Sequence, residues 1–484
     1  MKIKRKVQKI LDVFQEISAI PRCSKNEEKI CRWLLDWSDR HGFASSQDAA
    51  GNILIRVPAS SGYEHCSPVI LQGHVDMVCE KTPESTHDFS CDPIRLVYDE
   101  EWVRADGTSL GADNGLAIAM AMVVAEDKKV RHPPLELLFT VDEETGLTGA
   151  NNLEPGVLKG RRLLNLDSED EGVFTIGCAG GRDSHVSLPL YYEEVPCNFR
   201  SFKINADGMI GGHSGVNIHE GRASAIKVVG RALNLLRSQM PVRLTFIGGG
   251  TAHNAIPRFC HAVLFLPEDM IPRACELMKN FAENVRSEYR STDPDLRLTF
   301  TDINDLPDRR AVNEEMTSRA ISLVMAFPHG VAAMSREMPG LVETSSNLAN
   351  IKVENGELKL IASQRSSVMS RLDAVTEKIA AVAYLAGATF QSHGGYPAWQ
   401  PNLSSPLLAL FRETYKKMFR KEARIEAIHA GLECGIIGSA YPDMDMISLG
   451  ATIKDPHCTQ ERMHIDSIGK VWDLLVKVLE AMDD

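Results

Sequence analysis

Imidazole and carboxylate side chains occur at four separate places between His74 and Asp167, each beside a short apolar run. The four places are His74 with Asp76, Asp113, Glu143 with Glu144, and Asp167. Together with a late histidine, these side chains are ligands that Zn²⁺, Mn²⁺ and Co²⁺ accept. The carboxylates outnumber those that one ion needs, which suggests two ions about 3.5–4 Å apart that share a bridging carboxylate and a bridging water. Such a pair would activate water for hydrolysis, because metal binding can lower the pKa of a water to about 7.

The adjacent carboxylates Glu143 and Glu144 can divide the work at such a site. If one of them binds metal, its neighbour stays free to take a proton from the bridging water and pass it to the leaving group. Asp76 lies two residues after His74, so both side chains point to the same side of an extended strand end. A carboxylate there can orient the imidazole.

Each short pattern alone has a structural interpretation that is more common. A single Gly-His-Val-Asp is usually a loop or core segment, and a single Asp-Glu-Glu is usually a solvated turn. The metal-site hypothesis therefore depends on several such clusters following predicted strands in succession. Competing chemistries are poorly supported, because the sequence contains no H-E-x-x-H, no G-x-S-x-G and no P-loop.

The clusters follow apolar runs that are typical of buried strands. The runs begin at Val69, Leu135 and Leu163, and a long helical segment follows Asp113. Strands that alternate with helices predict an α/β fold with a mostly parallel sheet, in which sites form at the carboxyl ends of the strands. The clusters are thus expected at one edge of one sheet.

Two helices are predicted before the first strand. Val7 to Ile20 has apolar residues at helical spacing. Ser24 and Glu27 have the spacing of a capping box, and a helix is expected from there towards Trp37.

The pattern changes near Ser184, where polar and apolar residues alternate and glycine-rich turns separate helical stretches. This predicts a second, α+β domain, which the chain leaves near Tyr396. The expected organisation is a catalytic domain in two parts, 1–182 and 397–484, interrupted by an inserted domain at 183–396. A late strand beginning at Met446 leads towards His457, which returns the chain to the predicted site.

Composition narrows the function classes. The formal net charge of −12 disfavours binding to nucleic acid or to anionic membranes. The basic start of the chain leads into an amphipathic pattern rather than the apolar stretch of a signal peptide. The eleven cysteines include no C-x-x-C pair, so we expect reduced thiols in a reducing compartment and a cytoplasmic protein.

Seven motifs in chain order resemble those of the M20 metallopeptidases, and most closely the aminoacyl-histidine dipeptidase branch of that family. The motifs are Gly73-His74-Val75-Asp76-Met77-Val78, Thr108-Ser109-Leu110-Gly111-Ala112-Asp113-Asn114-Gly115, Asp142-Glu143-Glu144-Thr145-Gly146, Asn165-Leu166-Asp167-Ser168-Glu169, Gly211-Gly212-His213-Ser214-Gly215, His253-Asn254-Ala255-Ile256-Pro257 and His457-Cys458-Thr459-Gln460-Glu461. The resemblance implies a di-metal catalytic domain and an inserted lid domain that closes over the substrate.

The resemblance also implies roles for the residues of the catalytic domain. His74 and Asp167 would bind different ions, Asp113 would bridge them, and Glu144 and His457 would each complete one site. Glu143 would be the general base, with Asp76 orienting His74. The late ligand could be His457 or His464, and His457 is preferred because Glu461 follows it by four positions, as in the family. The ions are expected to be two Zn²⁺ per chain, with Mn²⁺ or Co²⁺ as alternatives.

In the lid domain, the resemblance implies contacts to the substrate. His213 would hydrogen-bond the developing oxyanion, and Arg365 would bind the terminal carboxylate, with Arg371 as a rival. Asn254 would add a hydrogen bond, and Gly431 would let the substrate backbone approach closely. The family also implies a homodimer formed through the lid.

The sequence thus predicts a metallo-dipeptidase that hydrolyses unblocked dipeptides, including Xaa-His peptides. An aminoacylase, carboxypeptidase or tripeptidase on the same scaffold is the first alternative. A metal-binding or interaction protein without catalytic activity is the second.

Overall fold

A computed structural model describes residues 4–303, 306 and 308–483. Its helices are α1 (Arg5–Ser18), α2 (Glu28–His41), α3 (Ala112–Glu126), α4 (Glu143–Gly146), α5 (Thr148–Asn151), α6 (Ala225–Arg237), α7 (Ile271–Glu288), α8 (Glu314–Ala326), α9 (Met369–Ala386), α10 (Pro406–Phe419), α11 (Glu433–Ala440) and α12 (Ile465–Glu480).

The strands of the described residues occur singly or in runs between these helices. They are β1 (Ala44–Gln47), β2 (Ile53–Val57), β3 (Val69–His74), β4 (Leu96–Tyr98), β5 (Trp102–Ala105), β6 (Leu135–Thr140), β7 (Arg162–Asn165), β8 (Val173–Cys178), β9 (Gly180–Pro189), β10 (Tyr192–Glu194), β11 (Phe199–Asp207), β12 (Gly212–His213), β13 (Arg243–Gly249), β14 (Ala255–Ile256), β15 (Cys260–Pro267), β16 (Arg297–Asp302), β17 (Arg310–Val312), β18 (Gly330–Met334), β19 (Val342–Glu354), β20 (Glu357–Ser366), β21 (Thr389–Tyr396), β22 (Arg424–Ile428), β23 (Asp445–Ser448), β24 (Ile453–Lys454) and β25 (Arg462–His464).

The chain forms two compact units, which are described separately. The first unit contains the chain up to Cys178, then Trp399–Ala427, and then the chain from Leu432 onward. The second unit contains Ala179–Ala398 and Ile428–Gly431. The domain bounds expected from the sequence were 1–182, 183–396 and 397–484, and their assignment as catalytic and lid domains stays a prediction.

An eight-stranded sheet forms the centre of the first unit, in the order β1-β2-β6-β3-β7-β23-β8-β22. The four inner strands β6, β3, β7 and β23 are parallel to one another. The pairs β1–β2, β2–β6 and β23–β8 are antiparallel. Every residue of β3 and β6 is buried, in agreement with the apolar residues at 69–71 and 137–139. The predicted α/β fold with a largely parallel sheet is confirmed.

Amphipathic and apolar helices surround this sheet. The predicted first helix is present as α1, which buries Val7, Ile10, Leu11, Phe14 and Ile17 on one face. Helix α3 is buried almost all round, as its continuous apolar sequence requires. No helix in the described part of the chain is both long and apolar enough to cross a lipid bilayer.

Two local predictions in this unit are wrong. Ser24 and Glu27 do not form a capping box, since α2 has no side-chain cap and begins after Glu27. Their side chains have other partners, which lie at the candidate site described below. The cysteines are not all reduced, because Cys23 and Cys79 form a disulfide with Cα atoms 5.7 Å apart.

The second unit is a nine-stranded sheet with helices packed on it. Eight strands follow the order β16-β11-β15-β13-β19-β20-β9-β21, and β18 pairs with β19. Its apolar core includes Leu360 and Val186 from the sheet, with Leu233, Ile321 and Ile379 from α6, α8 and α9. The alternation predicted for an α+β domain is present, because Leu358, Leu360 and Ala362 of β20 are buried in this core.

Candidate active site

The parallel strands of the first unit bring the predicted metal ligands to one edge of the sheet. His74 is the last residue of β3, and it pairs in register with Thr140, the last residue of β6. Glu143 and Glu144 follow β6 at the start of α4, and Asp167 follows β7. Parallel neighbours end at the same edge, which explains how residues nearly 100 positions apart become adjacent.

Asp113 lies between two imidazoles, with one carboxylate oxygen close to each. Its Oδ1 is 3.0 Å from His74 Nε2, and its Oδ2 is 3.0 Å from His457 Nε2. Asp167 Oδ1 is 3.4 Å from the same atom of His74. Glu144 Oε2 is 3.0 Å from the same atom of His457. The five side chains therefore form two groups that share one aspartate.

This grouping corrects one implication of the family resemblance. His74 and Asp167 were expected to bind different ions, but the structure places Asp167 beside His74 and Glu144 beside His457. The two groups are thus His74 with Asp167 and His457 with Glu144, each completed by one oxygen of Asp113.

The donor atoms of the cluster suit a divalent cation. Three side chains, His74, Asp113 and Glu144, have ligand atoms that all lie within 4.8 Å of one another. Glu144 Oε1 is buried and accepts no hydrogen bond from the described residues, as expected of an oxygen that a cation would contact. Nitrogen and oxygen ligands without thiolate suit Zn²⁺, Mn²⁺ or Co²⁺.

The negative charge around these ligands contributes to raised pKa values of nearby carboxyl groups. Burial raises the pKa of Asp167 to about 6, with the charges of Asp113 and Glu144 adding to the effect. Burial and the charges of Asp113 and Asp167 raise the pKa of Glu169 to about 8. Bound cations would reverse these shifts, because they neutralise the charge that the carboxylates cannot otherwise disperse.

The two histidines respond to the same charge. Hydrogen bonds to Asp113 and Glu144 raise the pKa of His457 to about 11. Burial alone would lower the pKa of His74, but the charges of Asp167 and its other carboxylate neighbours outweigh it and raise that pKa well above its ordinary value. Both imidazoles are therefore protonated when no metal is bound, and a cation must displace these protons in order to bind.

Asp76 connects the imidazole of His74 to the segment that carries Glu143 and Glu144. Its Oδ1 lies 3.3 Å from His74 Nδ1 and accepts the backbone N–H of Glu143 at 3.0 Å. Its Oδ2 accepts the backbone N–H of Glu144 at 3.2 Å and the hydroxyl of Ser24 at 2.8 Å. Despite burial, the contacts with His74 and the other donors lower the pKa of Asp76 to about 2. One carboxylate thus positions both a ligand and the expected base.

Glu461 forms hydrogen bonds with the backbone of the segment that contains Asp113. Its carboxylate is 2% exposed and accepts four backbone N–H groups at the start of α3. These donors are Leu110 and Gly111 to Oε2, at 2.7 and 2.9 Å, and Ala112 and Asp113 to Oε1, at 2.8 and 3.2 Å. The glutamate that identified His457 in the sequence therefore serves as the N-terminal cap of the helix that presents the shared aspartate.

Arg22 lies in the segment after α1, and its side chain extends into the same region. Its guanidinium is buried and donates to the carbonyl oxygens of Val75 and Asp76, at 3.0 and 2.8 Å, and to that of Gly111. It therefore ties the segment after β3 to the segment before α3. Glu27 completes this support by accepting the backbone N–H of Asp142 at 3.1 Å.

Glu433 is a fully buried acid below the ligands that the sequence did not reveal. Its Oε2 accepts from Gln72 Nε2 at 2.6 Å and from the Thr140 hydroxyl at 2.8 Å. Burial raises its pKa to about 7. Burial also raises the pKa of Glu143 well above its ordinary value, and the charges of Asp167 and Glu433 add to that shift. A carboxyl group with a raised pKa can both accept and release a proton near neutral pH.

The alternative late histidine lies elsewhere. The ring of His464 packs edge-on against Trp102, with centroids 4.9 Å apart. Its backbone N–H donates to Thr452 O. The structure therefore groups His457, and not His464, with Asp113 and Glu144.

The second unit groups His213 with Arg365. His213 Nδ1 accepts the backbone N–H groups of Gly215 and Val216, at 3.3 and 3.1 Å, which assigns the ring proton to Nε2. Burial and the charges of Arg365 and His253 lower the pKa of His213 to about 4, so the ring is neutral at physiological pH. A neutral imidazole with its proton on Nε2 can donate a hydrogen bond to an oxyanion.

Arg365 is only 7% exposed and its guanidinium donates to the hydroxyl of Tyr396 at 2.6 Å. Its rival Arg371 lies 3.7 Å from Glu343 and is more than half exposed. Asn254 is exposed, and its backbone carbonyl oxygen accepts a hydrogen bond from the backbone N–H of Ser214 at 2.8 Å. Gly431 faces the ring of Tyr396, a residue that the sequence analysis did not select.

Comparisons with known proteins agree on one family. The sequence model of "Peptidase family M20/M25/M40" matches residues 70–481. Over 475 residues, or 98% of each chain, the protein is 40% identical to the cytosol non-specific dipeptidase of Escherichia coli (strain K12). The structure matches that of the aminoacylhistidine dipeptidase from Vibrio alginolyticus with a TM-score of 0.92 and 38% identity, over 99% of this chain and 97% of that one. The aminopeptidase PepT from Bacillus cereus shares the fold, with a TM-score of 0.57 at 15% identity over all of both chains.

Cation affinity is predicted to fall as pH falls. Because the pKa of both His74 and His457 is raised in the metal-free protein, each imidazole must lose a proton before it can bind a cation. The apparent Kd for Zn²⁺ should therefore rise by up to about tenfold per pH unit, for each proton displaced, between pH 8 and pH 6. Competition with a chromophoric chelator measures it. His464→Gln should keep this dependence, and an affinity that is constant across the range would contradict the prediction.

Replacing Glu461 with Gln is predicted to weaken cation binding about 10- to 100-fold. The amide loses one acceptor oxygen and turns an NH₂ group towards two of the four backbone donors, so Asp113 is no longer held in place. Isothermal titration with Zn²⁺ measures the affinity, and circular dichroism checks the fold. The exposed Glu422 provides the control Glu422→Gln. Equal affinities for the two variants would show that the cap has no influence on the ligands.

Proposed function

This chain belongs to peptidase family M20/M25/M40, and we propose that it is a metal-dependent dipeptidase that hydrolyses unblocked dipeptides. One observation carries the proposal. Asp113 presents one oxygen to the group of His74 and the other to the group of His457. Glu144 lies beside His457, and Glu143 precedes Glu144 in the chain.

Two divalent cations, most simply Zn²⁺, are the cofactors that this arrangement suits, with Mn²⁺ and Co²⁺ as alternatives. His74, Asp167 and Asp113 would hold one ion, and His457, Glu144 and Asp113 the other. When bound, the ions lower the pKa of a water molecule and polarise the carbonyl group of the scissile bond.

Glu143 is the proposed general base. Glu143 precedes the proposed ligand Glu144 in the chain. Asp76 accepts a hydrogen bond from the backbone N–H of each residue, and these bonds hold the backbone of both in place. Burial raises the pKa of Glu143. The carboxylate can therefore accept a proton from the attacking water and then release it to the amine of the leaving amino acid.

His213 and Arg365 are the proposed substrate-binding residues of the second unit. His213 is neutral and carries its proton on Nε2, which suits a donor to the developing oxyanion. Arg365 is buried, and among the described residues no carboxylate lies within ion-pair distance of it. A buried guanidinium without an acidic partner favours an anionic ligand, which here is the terminal carboxylate of the peptide. Asn254 remains a proposed hydrogen-bonding residue.

The substrate class is proposed from the relatives together with the site. One relative is a non-specific dipeptidase and a solved relative is an aminoacylhistidine dipeptidase, so dipeptides that include Xaa-His are the proposed substrates. An aminoacylase, carboxypeptidase or tripeptidase on this scaffold is the alternative, because specificity depends on the substrate-binding pocket rather than on the ions.

Location and assembly complete the proposal. The Escherichia coli relative is named as a cytosolic enzyme, and we propose the cytosol for this chain too. A homodimer through the second unit is also proposed. Tyr384 and Leu385, on α9 of that unit, are 82% and 84% exposed and provide apolar surface for such an interface.

Glu143→Gln is predicted to lower kcat by about 10²- to 10⁴-fold while two cations stay bound. The amide cannot accept the proton of the attacking water, but none of the ligands is changed. Steady-state kinetics and metal analysis of the same preparation measure both quantities. Glu413→Gln, at an exposed glutamate of α10, is the matched control. Normal turnover by a metal-loaded Glu143→Gln protein would refute the assignment of the base.

A substrate panel tests the reaction. We expect hydrolysis of unblocked dipeptides, slower hydrolysis of tripeptides and of N-acyl amino acids, and loss of activity in the presence of a chelator. Release of free amino acids is measured by chromatography. Preference for tripeptides or N-acyl amino acids would favour the alternative hydrolases, and no hydrolysis by protein with two bound cations would favour a non-catalytic role.

A further inference from the structure

Tyr396 ends β21 and contacts the arginine that is proposed to bind the substrate. Gly181 of β9 lies between them in the sheet, because it pairs with Arg365 of β20 on one side and with Tyr396 on the other. Arg365 Nη1 donates to the Tyr396 hydroxyl at 2.6 Å across this glycine. The hydroxyl therefore occupies one end of the guanidinium group.

Two glycines make room for the tyrosine ring. A Cβ atom at Gly181 would lie 2.5 Å from ring atom Cζ of Tyr396, and one at Gly431 would lie 2.6 Å from ring atom Cε2. Side-chain atoms do not approach that closely, so any larger residue at either position would displace the ring. The ring of Tyr396 can occupy its position because residues 181 and 431 have no side chains.

The contact with Tyr396 leaves one edge of Arg365 available. Nε is buried and has no hydrogen-bond partner among the described residues. Nη2 lies 3.5 Å from His213 Nε2, but that atom carries the ring proton and does not accept. Nε and Nη2 form one edge of the planar guanidinium, and two parallel N–H groups match the two oxygens of a carboxylate.

We propose that Tyr396 is a positioning residue, whose hydroxyl holds Arg365 so that its Nε–Nη2 edge faces the terminal carboxylate of the dipeptide. This inference rests on the proposed role of Arg365. Gly431 gives space to the Tyr396 ring. Its expected role of giving space to the substrate backbone stays a prediction.

The test compares a dipeptide with its C-terminal amide, because only the former presents a carboxylate to Arg365. Tyr396→Phe removes the hydroxyl and keeps the ring between the two glycines, so the fold should be preserved. We expect KM for the dipeptide to rise about 10-fold or more with kcat within about threefold, since a hydrogen bond to a charged group is lost. The dipeptide-to-amide ratio of kcat/KM should fall by the same factor.

Matched variants separate this role from a structural one. Tyr191→Phe, at an exposed tyrosine of the same unit, should leave the hydrolysis of both substrates unchanged. Gly181→Ala, which displaces the ring, should lower the same ratio as Tyr396→Phe does. Equal losses for dipeptide and amide in Tyr396→Phe would mark a merely structural contact and overturn the inference.

Arg365→Met distinguishes failure of this inference from failure of the proposed function. If Arg365→Met and Tyr396→Phe both reduce the dipeptide-to-amide ratio, the positioning role is supported. If only Arg365→Met reduces it, Arg365 binds the carboxylate without help from Tyr396, and the inference is wrong. If neither variant changes it, Arg365 does not bind the terminal carboxylate, and the inference falls with that assignment.

Discussion

Concentrated negative charge at one edge of the parallel sheet is the constraint on which the site depends. Asp113, Glu144 and Asp167 are largely buried within contact distance of two imidazoles, and Glu143, Glu169 and Glu433 add acidic groups around them. Carboxylates so close together cannot all ionise without cations. The raised pKa values of Asp167 and Glu169 express the same constraint in the metal-free protein. Bound divalent cations would resolve it by neutralising the carboxylates.

Buried polar residues outside the ligand set hold this charged cluster in place. Glu461 caps the start of α3 below Asp113, and Arg22 joins that segment to the one after β3. Asp76 connects His74 to Glu143 and Glu144 through their backbone N–H groups. Each of these contacts joins chain segments far apart in sequence, so a change at one of them is expected to move several ligands together.

Strand periodicity predicted that the clusters at His74, Glu143 and Asp167 follow strand ends at one edge of the sheet, and the structure has them there. The roles of these residues stay predictions. The sequence could not predict which carboxylate accompanies which imidazole. Glu144 follows β6 and Asp167 follows β7, and both strands neighbour β3, so strand order alone leaves the pairing with His74 open. The directions of the side chains decide the pairing, and in the structure Asp167 lies beside His74.

Other differences have the same physical origin. Ser24 and Glu27 have the spacing of a local capping box, but Asp76 and the backbone of Asp142 offer partners that only the folded chain brings near. Tyr396 carried no signal in the sequence, because its contacts depend on two glycines about 250 positions apart. Contacts of this kind depend on which distant segments become neighbours, and the pattern within one segment does not contain that information.

We propose that two divalent cations share Asp113. Crystals grown with Zn²⁺ and measured by anomalous diffraction at the zinc edge test it most directly. We expect two peaks about 3.5–4 Å apart, one held by His74, Asp167 and Asp113 Oδ1, and the other by His457, Glu144 and Asp113 Oδ2. A single peak, or two peaks of which Asp113 contacts only one, would contradict it.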